Sequence, residues 1–214
     1  MQISTPSKIS RVARRRGFTL IELLMVIAVI LILAGITFGI SRGVQNAQAR
    51  AKAKAELATI SQALEQFKSR YGDYPWISVG DVSSDSQTKD AAHGVLKTLV
   101  GWQSVTGTQV GEEFKKQQST LDVSKLSLSG DWPESDSEVS PTIDIYFIDP
   151  WGNPYVYMYK DPDNDSNWER FGYILFSKGP DGRASSTGIT ESEGEITAEF
   201  RDQDENIDNI FVGE

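Results

Sequence analysis

Residues 18–40 read FTLIELLMVIAVILILAGITFGI, 23 positions with one charge, Glu22. About 20 apolar residues are enough for a helix to cross a bilayer, so this stretch is a transmembrane candidate. The residues on either side of it orient it. Residues 1–17 hold five cations, Lys8, Arg11, Arg14, Arg15 and Arg16, and no acid. The rest of the chain holds 16 cations and 30 acids, a net charge of −14. By the positive-inside rule, residues 1–17 remain cytoplasmic and everything after the run crosses the membrane. A cleaved secretory signal is the competing reading, with Ala47-Gln48-Ala49 in the role of cleavage site. The apolar run is too long for it, and the gap before Ala47 is polar.

Glu22 is out of place by hydropathy alone. An ionisable side chain within an apolar span points to function, unless it merely reaches the headgroups near the helix end. No Lys or Arg lies between Glu22 and Arg42. Its cation must therefore come from another chain, from lipid, or from an amino terminus freed by cleavage.

The nonapeptide Arg16-Gly17-Phe18-Thr19-Leu20-Ile21-Glu22-Leu23-Leu24 resembles the processing site of type IV pilins and type II secretion pseudopilins. That resemblance implies cleavage between Gly17 and Phe18 by a prepilin peptidase, then N-methylation of Phe18. It also implies that Glu22, fifth in the mature chain, meets the Phe18 amine of a neighbouring subunit during assembly.

Beyond the apolar run the sequence stays helical. Ala47, Ala49, Ala51, Ala53, Ala55 and Ala58 favour a helix. Leu57, Ile60, Leu64, Phe67 and Tyr71 form one apolar stripe at helical spacing. Lys52 and Glu56 read as an exposed i,i+4 pair. Gly72-Asp73-Tyr74-Pro75 ends the helix. A second, short helix is expected over residues 91–100, with His93 as a polar surface residue near its start. Strands are expected at 142–148, 155–159 and 171–177, separated by turn clusters. The fold class is α+β: a long N-terminal helix, half membrane and half amphipathic, packed on a small C-terminal antiparallel sheet. The segments are 1–17 (leader, cleaved), 18–43 (transmembrane and assembly helix), 44–75 (amphipathic continuation), 76–141 (variable loops with the short helix) and 142–214 (sheet and acidic C-terminal loop).

Further motifs narrow the resemblance. Tyr71-Gly72-Asp73-Tyr74-Pro75, Gly94-Val95-Leu96-Lys97-Thr98-Leu99-Val100, Asp149-Pro150-Trp151-Gly152-Asn153-Pro154-Tyr155 and Phe176-Ser177-Lys178-Gly179-Pro180-Asp181-Gly182 occur in the order seen in the major pseudopilin of type II secretion. The resemblance implies a calcium site near the C-terminus, with Ser177 and Asp181 on one side and Asp204 and Asn206 on the other. Calcium takes six to eight oxygen ligands, which such residues supply. Asp161-Pro162-Asp163-Asn164-Asp165 starts like an EF-hand loop, but Ser166 and Gly172 stand where Gly and Glu are required.

Composition excludes several functions. There is no cysteine and one histidine, which removes disulfides, thiol nucleophiles and cysteine-ligated zinc. The acidic bulk repels phosphate backbones, so nucleic acid is not an expected partner. No hydrolase or phosphate-cradling motif is present, and the chain is not expected to be an enzyme. The expected protein is a structural pseudopilin of the bacterial inner membrane, single-pass with a periplasmic domain. It would polymerise with itself into a filament that drives protein export. The resemblance implies prepilin peptidase, minor pseudopilins and the inner-membrane proteins of the secretion system as partners. The alternatives are a type IV pilin or other pilin-like subunit, in adhesion, motility or DNA uptake, and a membrane-anchored enzyme or calcium-binding protein.

Overall fold

A computed structural model describes residues 17–77, 79–103, 119–133, 143–160, 168–190 and 193–213, with the backbone alone for 36–42. The leader up to Arg16 and the EF-hand-like run at 161–165 lie outside the described residues. The chain divides into two compact units, Met1–Gln45 and Asn46–Glu214. The fold is α+β.

Helix α1 is Leu20–Tyr71. It starts two residues later than the apolar run and stops where the stop signals stand. Gly72 takes φ +90°, a left-handed conformation that costs glycine little, and its N–H bonds the Lys68 carbonyl at 2.8 Å. In the first unit the apolar side chains are exposed all along, from Phe18 at 81% to Leu33 at 58%. Among the described residues no helix is long and apolar enough to cross a membrane.

In the second unit the sheet is built from β1 (Val156–Met158), β2 (Ile174–Ser177) and β5 (Ile210–Phe211), antiparallel in the order β1-β2-β5. The strand expectations at 155–159 and 171–177 hold in shorter form. The one at 142–148 does not hold among its described residues. There Phe147 and Ile148 make single bridges, to Leu128 and Pro154. Residues 127–129 run beside this segment: Ser129 N–H bonds the Tyr146 carbonyl and Ile148 N–H bonds the Ser127 carbonyl, both at 3.0 Å. A separate hairpin pairs β3 (Ile189–Thr190) with β4 (Glu195–Ile196), followed by the short helix α3 (Ala198–Asp202).

Alternation along the strands sends side chains to opposite faces, and both faces are buried. Tyr155, Tyr157, Tyr159 and Leu175 meet the α1 stripe of Ala53, Leu57, Ile60, Leu64 and Phe67. Val156, Met158, Ile174 and Phe176 form a second core with Val79, Val82, Ala91, Ala184 and Phe200. Helix α2 is Asp85–Leu99, six residues longer at its start than the pattern of residues 91–100 suggests. It serves both cores: Ala91 packs in the second, and Val95, Leu96 and Leu99 in the first. Its first residue, Asp85, meets the buried Lys178 ammonium at 3.1 Å, which fastens the start of α2 to the end of β2.

Two polar expectations need correction. Glu56 is 2% exposed rather than on the solvent side. One carboxylate oxygen accepts bonds from Ser127 N–H (3.1 Å) and Ser127 Oγ (2.9 Å), the other from Tyr155 OH (2.7 Å). A stripe of apolar residues cannot reveal a carboxylate lying beside it and facing a loop 71 residues away. His93 is not a surface residue near a helix start. It lies in mid-α2, half-buried, because the helix begins at Asp85.

Candidate functional site: the processed amino-terminal segment

Gly17 and Phe18 precede α1 in an exposed stretch without regular secondary structure. A Cβ on Gly17 would meet nothing within 4 Å, so among the described residues no packing demands glycine there. Phe18 is likewise uncovered.

Thr19 caps the helix. Its hydroxyl accepts the Glu22 N–H at 3.3 Å, while the Glu22 carboxylate accepts the Thr19 N–H at 2.9 Å and the Thr19 hydroxyl at 2.7 Å. This reciprocal pattern is a capping box, which satisfies backbone donors that a helix start otherwise leaves open. The spacing Thr19-x-x-Glu22 was legible in the sequence as such a box. Glu22 therefore has a local role besides any between chains: it fixes the helix start one residue past Thr19, and Phe18 stays free outside the cap.

The second group of expected site residues lies near the C-terminus. The Ser177 hydroxyl is buried and donates to Asp149 Oδ2 at 2.7 Å, while accepting Gly179 N–H at 3.0 Å. Asp149 also accepts bonds from the Trp151 and Asn153 N–H groups, and Asn153 Nδ2 donates to the Gly179 carbonyl. The Asp149–Asn153 turn thus shapes the Lys178-Gly179-Pro180-Asp181 turn. Burial pushes the Asp149 carboxyl up, against the pull of these hydrogen bonds. Asn206 is buried, and its amide is spent on Ser185 and Phe200. Asp204 is exposed in a short 3-10 turn.

The residues the structure does bring to the Gly179–Asp181 turn are Asp208 and Asn209. Ser177 pairs with Ile210 in the sheet, and that register carries residues 208 and 209 alongside the turn. Asp181 N–H reaches Asp208 Oδ2 at 3.3 Å. Asp208 Oδ1 and Asn209 Oδ1 are buried without a hydrogen-bond partner. The signal for them was present, since Asp208-Asn209-Ile210 repeats the Asn-Ile ending of Glu205-Asn206-Ile207. Only the pairing of β5 with β2 selects between the two. These hard oxygens suit a cation such as calcium in type. However, no group of three or more His, Cys, Asp or Glu side chains converges among the described residues.

Comparison with known proteins bears on the first of these two places. Residues 12–38 match the prokaryotic N-terminal methylation motif. This motif is the type IV pilin-like prepilin signal, and it spans Arg14, Arg15, Arg16, Gly17, Phe18 and Glu22. It marks a prepilin-peptidase substrate and a subunit of pilin-like assembly. No curated protein and no solved structure matches the chain.

Proposed function

We propose that this chain is a pseudopilin of type II secretion: an inner-membrane precursor, single-pass with its C-terminal unit periplasmic, cleaved after Gly17 and polymerised into a periplasmic filament. The observation that carries the reading is the methylation motif placed directly on α1, with apolar side chains exposed from Phe18 to Leu33. Such a face needs lipid before assembly and neighbouring subunits after it. The protein acts by assembly and not by catalysis. Glu22, already held at the helix start by Thr19, is placed to take the amine of a neighbour's Phe18 once cleavage has created it. A type IV pilin would share this processing and polymerisation. The four motifs between Tyr71 and Gly182 favour the secretion branch.

Intact mass of the membrane form tests the processing: residues 1–17 should be absent and Phe18 should carry one methyl group. Gly17→Ala should accumulate the precursor. Glu22→Ala should still insert but yield few filaments. A mature chain beginning near Gln48 or Arg50 would return the segment to a secretory signal. Filament loss combined with unchanged export of cargo would favour a pilus over a secretion filament.

Calcium is a second element of the reading, favoured by the unpartnered Asp208 Oδ1 and Asn209 Oδ1 and by Asp208 lying against the Asp181 N–H. These residues would hold the ion, and it would neutralise the carboxylates that the β2–β5 pairing brings together.

A further inference from the structure

In a filament, copies of this chain pack side by side, and their charge opposes it. Residues 56–214 hold 12 cations and 29 acids, a net −17. A charge of that size keeps copies of one protein apart. Residues 23–55 are the reverse: they hold four cations, Arg42, Arg50, Lys52 and Lys54, and no acid. In the second unit, Lys52 is taken up by Glu56 at 3.7 Å, and Arg50 is near enough to act on the Asp208 carboxyl. Lys54 is exposed and makes no ion pair among the described residues. Its helical neighbours Ala51 and Ala58 are exposed and short, so nothing there covers the ammonium. Like charges four residues apart, as Arg50 and Lys54 are, oppose each other on a lone helix. The opposite charge collects elsewhere. Residues 193–208 hold seven acids and one cation, Arg201, whose guanidinium lies over the Phe211 ring at 4.9 Å. Glu193, Glu195, Glu199, Asp202 and Asp204 are all exposed, from β4 through α3 to the turn after it, and make no ion pair among the described residues.

We propose that the Arg50–Lys54 face of α1 is a docking surface for a second copy of this chain, which sets its acidic 193–204 face against it. This rests on the filament reading and names the two surfaces that meet. The contact is heterologous: each copy offers one cationic face and one acidic face, and docking uses one of each. Such a contact need not close on a dimer, and it propagates along a polymer. It also neutralises part of the charge that otherwise keeps the copies apart. Anionic lipid is the other source of negative charge, and the position along the helix disfavours it. Arg50 and Lys54 follow Ile40, the end of the apolar run, by 10 and 14 residues. At 1.5 Å per residue that is about 15–21 Å along a helix, whereas headgroups add only about 5–8 Å to each side of the hydrocarbon. The pair therefore stands past the headgroups, at the level where neighbouring protein would lie.

The full chain, produced with prepilin peptidase and extracted in detergent, should be scored for filaments by electron microscopy and for cleavage by intact mass. Wild-type yield should fall about fivefold as sodium chloride rises from about 50 to 500 mM, because salt screens exposed charges. Lys54→Glu should be cleaved and should melt like the wild type, yet give about fivefold fewer filaments. Glu199→Lys with Asp202→Lys should lose as much, and combining all three changes should restore most of the yield, since the charges are then exchanged between the two faces. If Lys54→Glu melts early, Lys54→Gln replaces it on the same criteria. Yield in the Lys54 variant equal to wild type overturns the docking and leaves the filament reading standing. So does a triple variant no better than Lys54→Glu. An uncleaved wild type that forms no filaments overturns both. Vesicles of phosphatidylcholine with and without phosphatidylglycerol test the lipid: if Lys54→Glu loses retention only on the anionic vesicles and keeps its filaments, the face belongs to lipid and the docking falls.

Discussion

Glu22 and Glu56 are both carboxylates on one helix, and their surroundings give them different tasks. Glu22 is solvent-accessible in the lone chain, and among the described residues its carboxylate bonds only to Thr19, three residues before it. It can exchange that partner for one on another chain without leaving a buried group unpaired. Glu56 is enclosed and accepts three hydrogen bonds from Ser127 and Tyr155, with Lys52 at 3.7 Å. Removing it leaves the buried Tyr155 hydroxyl and the half-buried Ser127 donors unmatched. Glu56→Ala should therefore cost about 3 kcal/mol of stability, and Tyr155→Phe about 1.5–3 kcal/mol, because each bond involves a charged acceptor. The two changes share one interaction, so the double variant should lose clearly less than their sum. Denaturant midpoints of the four proteins measure this. Strict additivity would show that the Tyr155–Glu56 bond contributes nothing.

Among elements, the turn after β2 is tightly constrained. Gly179 has φ +71°, and a Cβ there would lie 2.5 Å from the Asp208 carbonyl oxygen. Gly72, after α1, has φ +90° but open space around it. Gly72→Ala should cost about 1–2 kcal/mol, the backbone penalty alone. Gly179→Ala should cost more, about 3 kcal/mol, because Asp208 and β5 must also shift. Comparable losses in urea unfolding would mean that β5 moves freely against the turn. The same contact explains why β5 could not be read from the sequence. Ile210 and Phe211 are two residues after a polar run, too short for any periodicity, and they become a strand only because β2 has a free edge. The segment 143–148 fails in the other direction. Its β-rich composition meets a tight turn at Asp149 and a partner of three residues, so single bridges form and a ladder does not.

At the scale of the whole molecule, the two units face opposite demands. The first exposes apolar side chains and buries none among the described residues, whereas the second encloses two cores on the two faces of one small sheet. The β2–β5 pairing sets Asp208 against the Gly179–Asp181 turn, and on the calcium reading the stability of the second unit should respond to the ion. A ligand that binds only the folded state adds about 2.7 kcal/mol at a hundredfold excess over Kd. Melting of the full chain in detergent with excess calcium and with chelator should differ by several degrees. Asp208→Ala should remove that difference. Asp204→Ala should leave most of it, since Asp204 is exposed in its 3-10 turn. Equal melting with calcium and with chelator would remove the ion from the reading and leave the amino-terminal processing untouched.

The amino-terminal half was written locally. Hydropathy, the leader's charges, the Thr19-x-x-Glu22 spacing and the Leu57–Phe67 stripe depend on neighbours within a few turns of one helix. A helix satisfies its own backbone, so such signals survive without tertiary context. The C-terminal half depended on pairing across distance. Burial of Glu56 was decided by Ser127 and Tyr155, 71 and 99 residues away. That Asp208, rather than Asp204, lies against the Asp181 backbone was decided by the register of β5 on β2. A strand's partner and register are set by which faces can be buried together, and that condition exists only once the sheet has formed.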